Sequence, residues 1–207
     1  KLNGVTFRVA FFAPANGLTP TLWERYAANR LTVVRQLHHS ESKPGTSVDL
    51  ALVVNGIPTA TAELKNPLTQ QSVAHAMEQY RSDRNPNDLI FKHRTVVHFA
   101  VDPDQVYMTT KLAGQGTVFL PFNEGSAGAG QAGGAGNPAN PVGYRTAYLW
   151  ERVWDRDAWL GLLASFVHVE DVHVDGVKTG AKRTLFPRFH QWDAVTRLLA
   201  ATRSAGP

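Results

Sequence analysis

The sequence predicts an α/β domain in which helices flank a mixed central β-sheet. Three observations favour this class: short runs rich in β-branched and aromatic residues, an Asn55-Gly56 pair between two of those runs, and helix-spaced apolar residues between others. The length of 207 residues suits one domain of ordinary size, or one domain with part of a neighbour.

The strands are predicted from composition and from the turn residues that bound them. The first run, VTFRVAFF at 5–12, ends before a cluster of Pro, Asn and Gly. Similar runs predict strands at 31–38, 47–54, 57–65, 95–101 and 106–112. Asn55-Gly56 is the strongest short-range signal for a β-hairpin, so the strands on either side of it are expected to pair, and Pro67 ends the second one.

The helices are predicted from apolar spacing and capping residues. Thr19 or Thr21 is suited to cap a helix that runs through Tyr26. A second helix, over 69–81, places its apolar residues on one face. Helical spacing returns over 149–166 with a break at 155–157, and a short strand is expected at 172–177.

Composition divides the chain into three parts. Residues 125–143 contain seven glycines, five alanines and no charged residue, which predicts a loop or disordered insert within a first domain at 1–177. Residues 178–185 are expected to form an exposed basic linker, and 186–207 the start of a second unit. Because the chain starts at Lys1 without a signal-peptide layout, we expect a piece excised from a longer intracellular protein.

Composition also excludes several classes of protein. The absence of cysteine excludes disulfide scaffolds, cysteine-ligated zinc sites and thiol nucleophiles. No apolar run approaches the roughly 18 residues of a membrane span, so no membrane partner is expected. The net charge of +4 is compatible with a polyanionic partner but does not demonstrate one.

The residues that suggest chemistry are Asp49, Glu63 and Lys65. Two carboxylates within about 4–5 Å repel each other unless a divalent cation lies between them, and Mg²⁺ takes only one or two protein carboxylates. The pair therefore predicts a magnesium site, where Mn²⁺ is expected to substitute, and Lys65 is placed to orient water or stabilise charge on phosphorus. The alternative is an ordinary exposed hairpin face. The apolar residues around these acids favour the site, because acids are seldom placed there without a partner.

The register of the hairpin decides between the two interpretations. A simple two-residue turn pairs Val54 with Ile57 and turns Asp49 away from Glu63. An extra residue or a bulge that pairs Val54 with Pro58 places the two acids opposite each other. Proline has no N–H to donate and favours such an irregularity. The functional interpretation therefore requires one extra, unpaired residue (an odd residue) in this hairpin.

The hairpin resembles the nuclease core of the large motor subunit of type I restriction enzymes, which belongs to the PD-(D/E)xK superfamily. The resemblance rests on the string from SVDL at 47–50 through VNGIP at 54–58 to ELKNPL at 63–68, and it covers roughly 20–200. It continues in QYR at 79–81, HFAVD at 98–102, FLPFN at 119–123 and YLWE at 148–151. It implies a restriction-endonuclease-like core in which Asp49 and Glu63, with the main-chain carbonyl of Leu64, bind Mg²⁺ and Lys65 is catalytic. Some nucleases of this superfamily add an upstream acid, for which Glu24 and Glu41 are candidates.

The helix after the hairpin matches the family in part. Family members often carry a glutamine four residues before a helical tyrosine, but four residues before Tyr80 lies Ala76. Gln79 is adjacent to Tyr80 and about 100° round the helix from it. Only Tyr80 is therefore carried over, as a candidate for DNA contact. Basic residues that follow are further candidates for contact with backbone phosphates, the alternative being a solvated basic face: Arg81, Arg84, Lys92 and Arg94.

The end of the chain resembles a second motif of the same subunits. FPRFHQWDAV at 186–195 is similar to the Q motif that opens their superfamily 2 helicase core. In that motif a glutamine, here Gln191, reads the adenine edge through its amide. The phosphate-binding loop would lie beyond Pro207, so ATP is expected to bind the full-length subunit only. Without the resemblance, Gln191 is an ordinary polar residue of an amphipathic helix.

These features predict a Mg²⁺-dependent endonuclease domain that hydrolyses double-stranded DNA without sequence specificity of its own, in the cytoplasm of a bacterium or archaeon. The resemblance implies methyltransferase and specificity subunits as partners. One alternative is a DNA-binding or assembly module whose nuclease site is inactive in isolation. Another is a free-standing homing or repair nuclease of the same superfamily.

Overall fold

The computed structural model describes residues 8–206, and it has a six-stranded mixed sheet with helices on its faces. The strands follow one another in space in their chain order, from β1 to β6. Their bounds are β1 Leu31–His38, β2 Ser47–Val54, β3 Ile57–Leu64, β4 Val97–Val101, β5 Val106–Thr109 and β6 Leu120–Pro121. All neighbours are antiparallel except β3 and β4, which are parallel. The predicted mixed α/β class is confirmed.

Helix α2, Val73–Ser82, makes the crossover between the two parallel strands. It covers one face of the sheet with Ala76 and Tyr80, which are fully buried. The opposite face packs against α3, Arg156–Ser165, and against residues near the end of the chain. Helix α1, Pro20–Ala27, precedes β1 and begins after Thr19, one of the two predicted caps.

The main core lies on the face opposite α2. Alternate residues of the strands, among them Ala60, Ala62 and Phe99, meet large aromatic side chains such as Trp159 and Phe186. All these residues are buried. Burial of such aromatic side chains supplies a large apolar area, so this face anchors the sheet and holds the α2 face in place.

Several sequence predictions need correction near the strand ends. Of the strand predicted at 5–12, residues 5–7 lie outside the described residues and residues 8–12 are not a strand, because their backbone pairs with the side chains of Asn29 and Asn55. The helix predicted at 69–81 is a 3₁₀ turn at Pro67–Thr69 followed by α2, with Ser72 at its N-cap. Strands β3, β4 and β5 are shorter than predicted.

The later part of the chain also differs from the predictions. Residues 125–143 form turns without helix or strand, as expected of a loop, with Gly125 N–H donating to the Gly136 carbonyl. A π-helical turn at Leu149–Val153 precedes α3, which confirms the predicted break. Residues 178–185, expected to be a linker, lie instead in an exposed strand: β7, His168–Val174, and β8, Val177–Leu185, form a separate two-stranded sheet.

The final helix, α4, spans Phe189–Ala205 and joins the main core at its start. Phe186, Phe189 and Trp192 are buried within the same cluster as Phe99. The start of the segment predicted as a second unit therefore packs against the first domain. Among the helices in the described range, none is both long and apolar enough to cross a membrane.

Candidate active site

The β2–β3 hairpin contains one extra residue, Thr59. The turn itself is tight: Asn55 and Gly56 both have positive φ, and Val54 pairs with Ile57. Pairing continues at Val53 and Pro58 and then shifts, so that Leu52 lies opposite Ala60. Thr59 has no pairing partner on β2 and is therefore the extra residue of a β-bulge.

The bulge brings the two acids together. Beyond it Leu50 pairs with Ala62, and Asp49 and Glu63 are the next residues of the two strands. Besides burial, the charge of Asp49 contributes to raising the pKa of Glu63, so the two carboxyl groups lie near each other. The backbone N–H of Leu64 donates to Asp49 Oδ2 at 2.8 Å. The hypothesis of an odd residue in the hairpin is confirmed. The specific pairing of Val54 with Pro58 is wrong, because the turn closes normally and the shift occurs two residues later.

Asp49 has a second partner that the sequence analysis did not identify, Gln36 of β1. Its amide donates to Asp49 Oδ1 at 3.2 Å, and its carbonyl accepts from the Ser47 hydroxyl at 2.8 Å. Gln36 has a φ of 49° within a strand, a conformation that costs a non-glycine residue free energy. Nothing in the local sequence signals this conformation.

Glu63 is fully buried and is paired with Arg84. Both Nε and Nη2 of Arg84 lie 2.7 Å from Glu63 Oε1, and Nη2 also donates to the Ser47 carbonyl at 2.9 Å. Burial raises the pKa of Glu63 to about 7, although the Arg84 charge opposes this shift. Glu63 Oε2 has no hydrogen-bond partner among the described residues.

Lys65 directly follows the last residue of β3, which is an interior strand of the sheet. Its backbone N–H donates to the Val101 carbonyl at 2.8 Å, which extends the parallel pairing by one residue. Its ammonium group donates to the side-chain carbonyl of Gln79 on α2. The structure thus gives Gln79 a partner at the site, whereas Ala76 packs against the sheet next to Ala100. A cavity of about 250 Å³ opens beside Lys65.

The structure corrects the predicted DNA contacts of two residues. Tyr80 is fully buried, and its hydroxyl lies 2.9 Å from that of Thr61, so it has no surface to offer to a nucleic acid. Arg84 is also buried and is committed to Glu63. Arg81 remains partly exposed, with its guanidinium over the Phe119 ring.

His98 and Gln191 have structural roles. His98 is fully buried beside Thr61, and burial lowers its pKa to about 3, as expected of a core histidine. Gln191 accepts a hydrogen bond from the Arg188 N–H and so caps the start of α4. Its predicted contact with adenine stays a prediction.

The donor set fits a small hard cation. Asp49 and Glu63 are two neighbouring carboxylates, and the unpartnered Oε2 of Glu63 is a buried acceptor that a cation would satisfy. Within 8–206, no group of three or more His, Asp or Glu side chains is arranged to hold a metal. Neither Glu24 nor Glu41 therefore adds a third carboxylate, and the remaining ligands of a cation would be waters and main-chain oxygens.

Comparison with known families gives one match. Residues 18–117 match the family model described as the type I restriction enzyme R protein N terminus. The matched range contains α1, the whole β2–β3 hairpin, α2 and all three residues Asp49, Glu63 and Lys65. A search of curated proteins finds no match.

Proposed function

We propose that the chain is a Mg²⁺-dependent endonuclease domain acting on double-stranded DNA, because residues 18–117 match the family model described as the type I restriction enzyme R protein N terminus. The observation that supports the proposal is the bulge, beyond which Leu50 pairs with Ala62. There Asp49 accepts a hydrogen bond from the Leu64 N–H, next to Glu63 and Lys65 in the chain. The likeness of the hairpin to PD-(D/E)xK nucleases supports the same assignment. Methyltransferase and specificity subunits would be its partners in the complex.

Each residue would have a distinct task. Asp49 and Glu63 would hold the cation, with the main-chain carbonyl of Leu64 as the third protein ligand. Once bound, a divalent cation would supply a Lewis acid that polarises the phosphodiester and activates water. Lys65, oriented by Gln79, would stabilise the negative charge that develops on the phosphorus oxygens during hydrolysis.

Arg84 would hold the Glu63 carboxylate in its orientation before the cation binds. Its hydrogen bond and ion pair with Glu63 and its bond to the Ser47 carbonyl fix one oxygen of Glu63 and leave the other without a partner among the described residues. A buried carboxylate without a counter-charge is costly, so the arginine stabilises the ionised acid. The divalent cation would then meet a carboxylate that is already oriented.

One observation favours the second candidate, a DNA-binding or assembly module whose site is silent in isolation. Glu63 is fully buried and already paired, so a cation needs a local opening to reach it. Calorimetric titration with Mn²⁺ separates the two functions. Binding that Asp49→Ala removes supports the nuclease, and absence of binding to the wild-type chain supports the silent module.

The direct test is conversion of supercoiled plasmid to nicked and linear forms with Mg²⁺. Asp49→Ala, Glu63→Gln and Lys65→Ala should each remove cleavage while circular dichroism shows an intact fold. Asp104→Asn is a matched control, because this carboxylate is exposed and pairs with Arg145 at the surface. Full cleavage by all three site variants would refute the proposed function.

A further inference from the structure

A second cationic site lies on the chain away from the acids. A cavity of about 290 Å³ opens between three segments that are distant in sequence. They are the π-helical turn at Ile90–Arg94, the loop after β5, and strand β8. The charged residues that line this basic cavity are all cations: Lys92, Lys111, Lys182 and Arg183.

The cations of the basic cavity are only partly neutralised. Neither Lys111 nor Lys182 forms a salt bridge with any residue that the structure describes. Asp171, which faces Lys182 across the β7–β8 hairpin, pairs with Lys178 instead. Arg183 is paired with Glu170, an acid that does not line the cavity. Like charges gathered without counter-charges raise the free energy of the free protein, and a bound anion relieves that cost.

Other lining groups suit a phosphate. The hydroxyls of Thr110 and Thr184 and the amide of Asn87 also line the basic cavity, and the Asn87 carbonyl accepts from Lys92 at 3.1 Å. Ammonium groups and hydroxyls are the donors that proteins commonly offer to phosphate oxygens. A singly charged phosphodiester matches these groups in charge and in hydrogen-bond chemistry.

The position of the basic cavity fits the proposed substrate. Phe91 and Leu112, which line it, belong to the apolar cluster of Tyr80, on the sheet face that carries Glu63. The loop with Lys111 follows Thr109 of β5. Thr109 pairs with His98 of β4, and His98 pairs with Thr61 of β3, so the three residues lie side by side across the sheet. Thr61 precedes Lys65 by four residues, about 13 Å along the sheet. Thr109 lies two strands, about 10 Å, to the side, with Lys111 beyond it. This spacing is shorter than one helical turn of B-DNA, about 34 Å, so one duplex can reach both places.

We propose that the basic cavity binds a backbone phosphate of the DNA duplex, at a distance from the phosphate that is cut. The inference rests on the proposed function and adds the contact that holds the substrate. Backbone contacts of this kind orient a duplex without reading its sequence, which suits a nuclease domain with no sequence specificity of its own.

The test measures binding without cleavage. Fluorescence anisotropy of a labelled duplex, in EDTA and across a series of NaCl concentrations, is compared for the wild-type chain and Lys111→Ala/Lys182→Ala. We expect about tenfold weaker binding and a salt slope shallower by about 1, the change for one lost phosphate contact. Lys178→Ala is the matched control, because it removes an exposed cation of the same strand outside the cavity and should change affinity less than twofold.

Three outcomes would overturn the inference. Unchanged binding by the double variant, with its fold checked by circular dichroism, shows that the cavity does not contact DNA. An equal loss in Lys178→Ala shows a diffuse surface effect. Binding of inorganic phosphate that the double variant abolishes, with DNA binding unchanged, reassigns the cavity to a small anion.

The result is independent of the cleavage site. Asp104→Asn should bind the duplex as the wild-type chain does, because Asp104 lies outside both the basic cavity and the proposed cation site. If the double variant binds normally while the wild-type chain still cuts plasmid, the inference fails and the proposed function stands. If Asp49→Ala cuts as well as the wild-type chain, the proposed function fails, and the anisotropy data still show whether the cavity holds DNA.

Discussion

The indole N–H of Trp159 donates to the hydroxyl of Thr59 at 3.0 Å, and so a residue of α3 holds the bulge of the β2–β3 hairpin. Thr59 is fixed from two further sides: its hydroxyl donates to the Leu52 carbonyl at 3.1 Å, and its own carbonyl accepts from the Val96 N–H at 2.9 Å. A contact on the core side of the sheet thereby sets which acids share the opposite face. Packing of α3 against the bulge therefore affects which acidic side chains lie together in the candidate site.

The first prediction concerns the Thr59 hydroxyl. Thr59→Val leaves the buried Trp159 N–H without an acceptor, which should lower the free energy of unfolding by about 1–3 kcal/mol. Thr59→Ser keeps the hydroxyl and should lose clearly less. Denaturant unfolding measures both, and equal loss in the two variants would show that the methyl group rather than the hydrogen bond matters.

Deletion of Thr59 separates the pairing of the strands from the shape of the bulge. Without Thr59 the residues beyond it keep their partners, because Leu52 still lies opposite Ala60 and Leu50 opposite Ala62 in a simple antiparallel ladder. We therefore expect a folded deletion variant to keep Mn²⁺ binding and plasmid cleavage, measured by calorimetry and by gel. Loss of both in a folded variant would show that the shape of the bulge, and not the pairing alone, holds the site.

The raised pKa of Glu63 predicts a pH dependence of stability. Between pH 4.5 and about 7 the folded chain keeps a proton on Glu63 that the unfolded chain releases, so the free energy of unfolding falls as the pH rises through this window. The shift corresponds to at most about 3 kcal/mol. Glu63→Gln cannot ionise and isolates the effect: the wild-type chain should lose stability relative to this variant from pH 5 to 8. Parallel curves for the two chains would show that Glu63 is already ionised at pH 5.

Arg84 should be essential for stability because it neutralises Glu63. At pH 8, where Glu63 is ionised, Arg84→Met removes the only cation bonded to this buried carboxylate in the described structure and should cost about 3–5 kcal/mol in unfolding experiments. In Glu63→Gln/Arg84→Met no buried charge is left unpaired, so the double variant should lose less than the sum of the single losses. Additive losses would indicate that the two side chains are not coupled.

The parts of the fold that the sequence predicted are those with local causes. Strands β1 and β2 have their predicted bounds, because β-branched residues and the Asn55-Gly56 turn act within a few residues. The need for an odd residue was also predictable, since Pro58 cannot donate to the ladder. The position of the extra residue was not predictable, because Trp159, which donates a hydrogen bond to Thr59, lies 100 residues away in the chain.

The same distinction applies to the site. Spacing and resemblance identified Asp49, Glu63 and Lys65, but they did not identify the side chains that hydrogen-bond to these residues. Arg84 appeared in the sequence as a surface cation, and only the crossover helix brings it to Glu63. The predicted linker at 178–185 failed for a related reason: a run of cations without acids is compatible with a strand when acids on β7 pair with it.

Gln79 provides the last prediction, because it positions the ammonium group of Lys65 by accepting its hydrogen bond. Gln79→Ala should leave the fold intact and slow plasmid cleavage by about 10- to 100-fold, since a small displacement of a charged group weakens its action on the transition state. The loss should appear in kcat, while duplex binding in EDTA stays unchanged. Gln79→Glu keeps an acceptor for Lys65 and should restore most of the rate. The neighbouring Glu78 is exposed and contacts Gln115 and Arg81, so Glu78→Ala is the control and should cut normally. Cleavage by Gln79→Ala at the wild-type rate would mean that Lys65 needs no partner on α2.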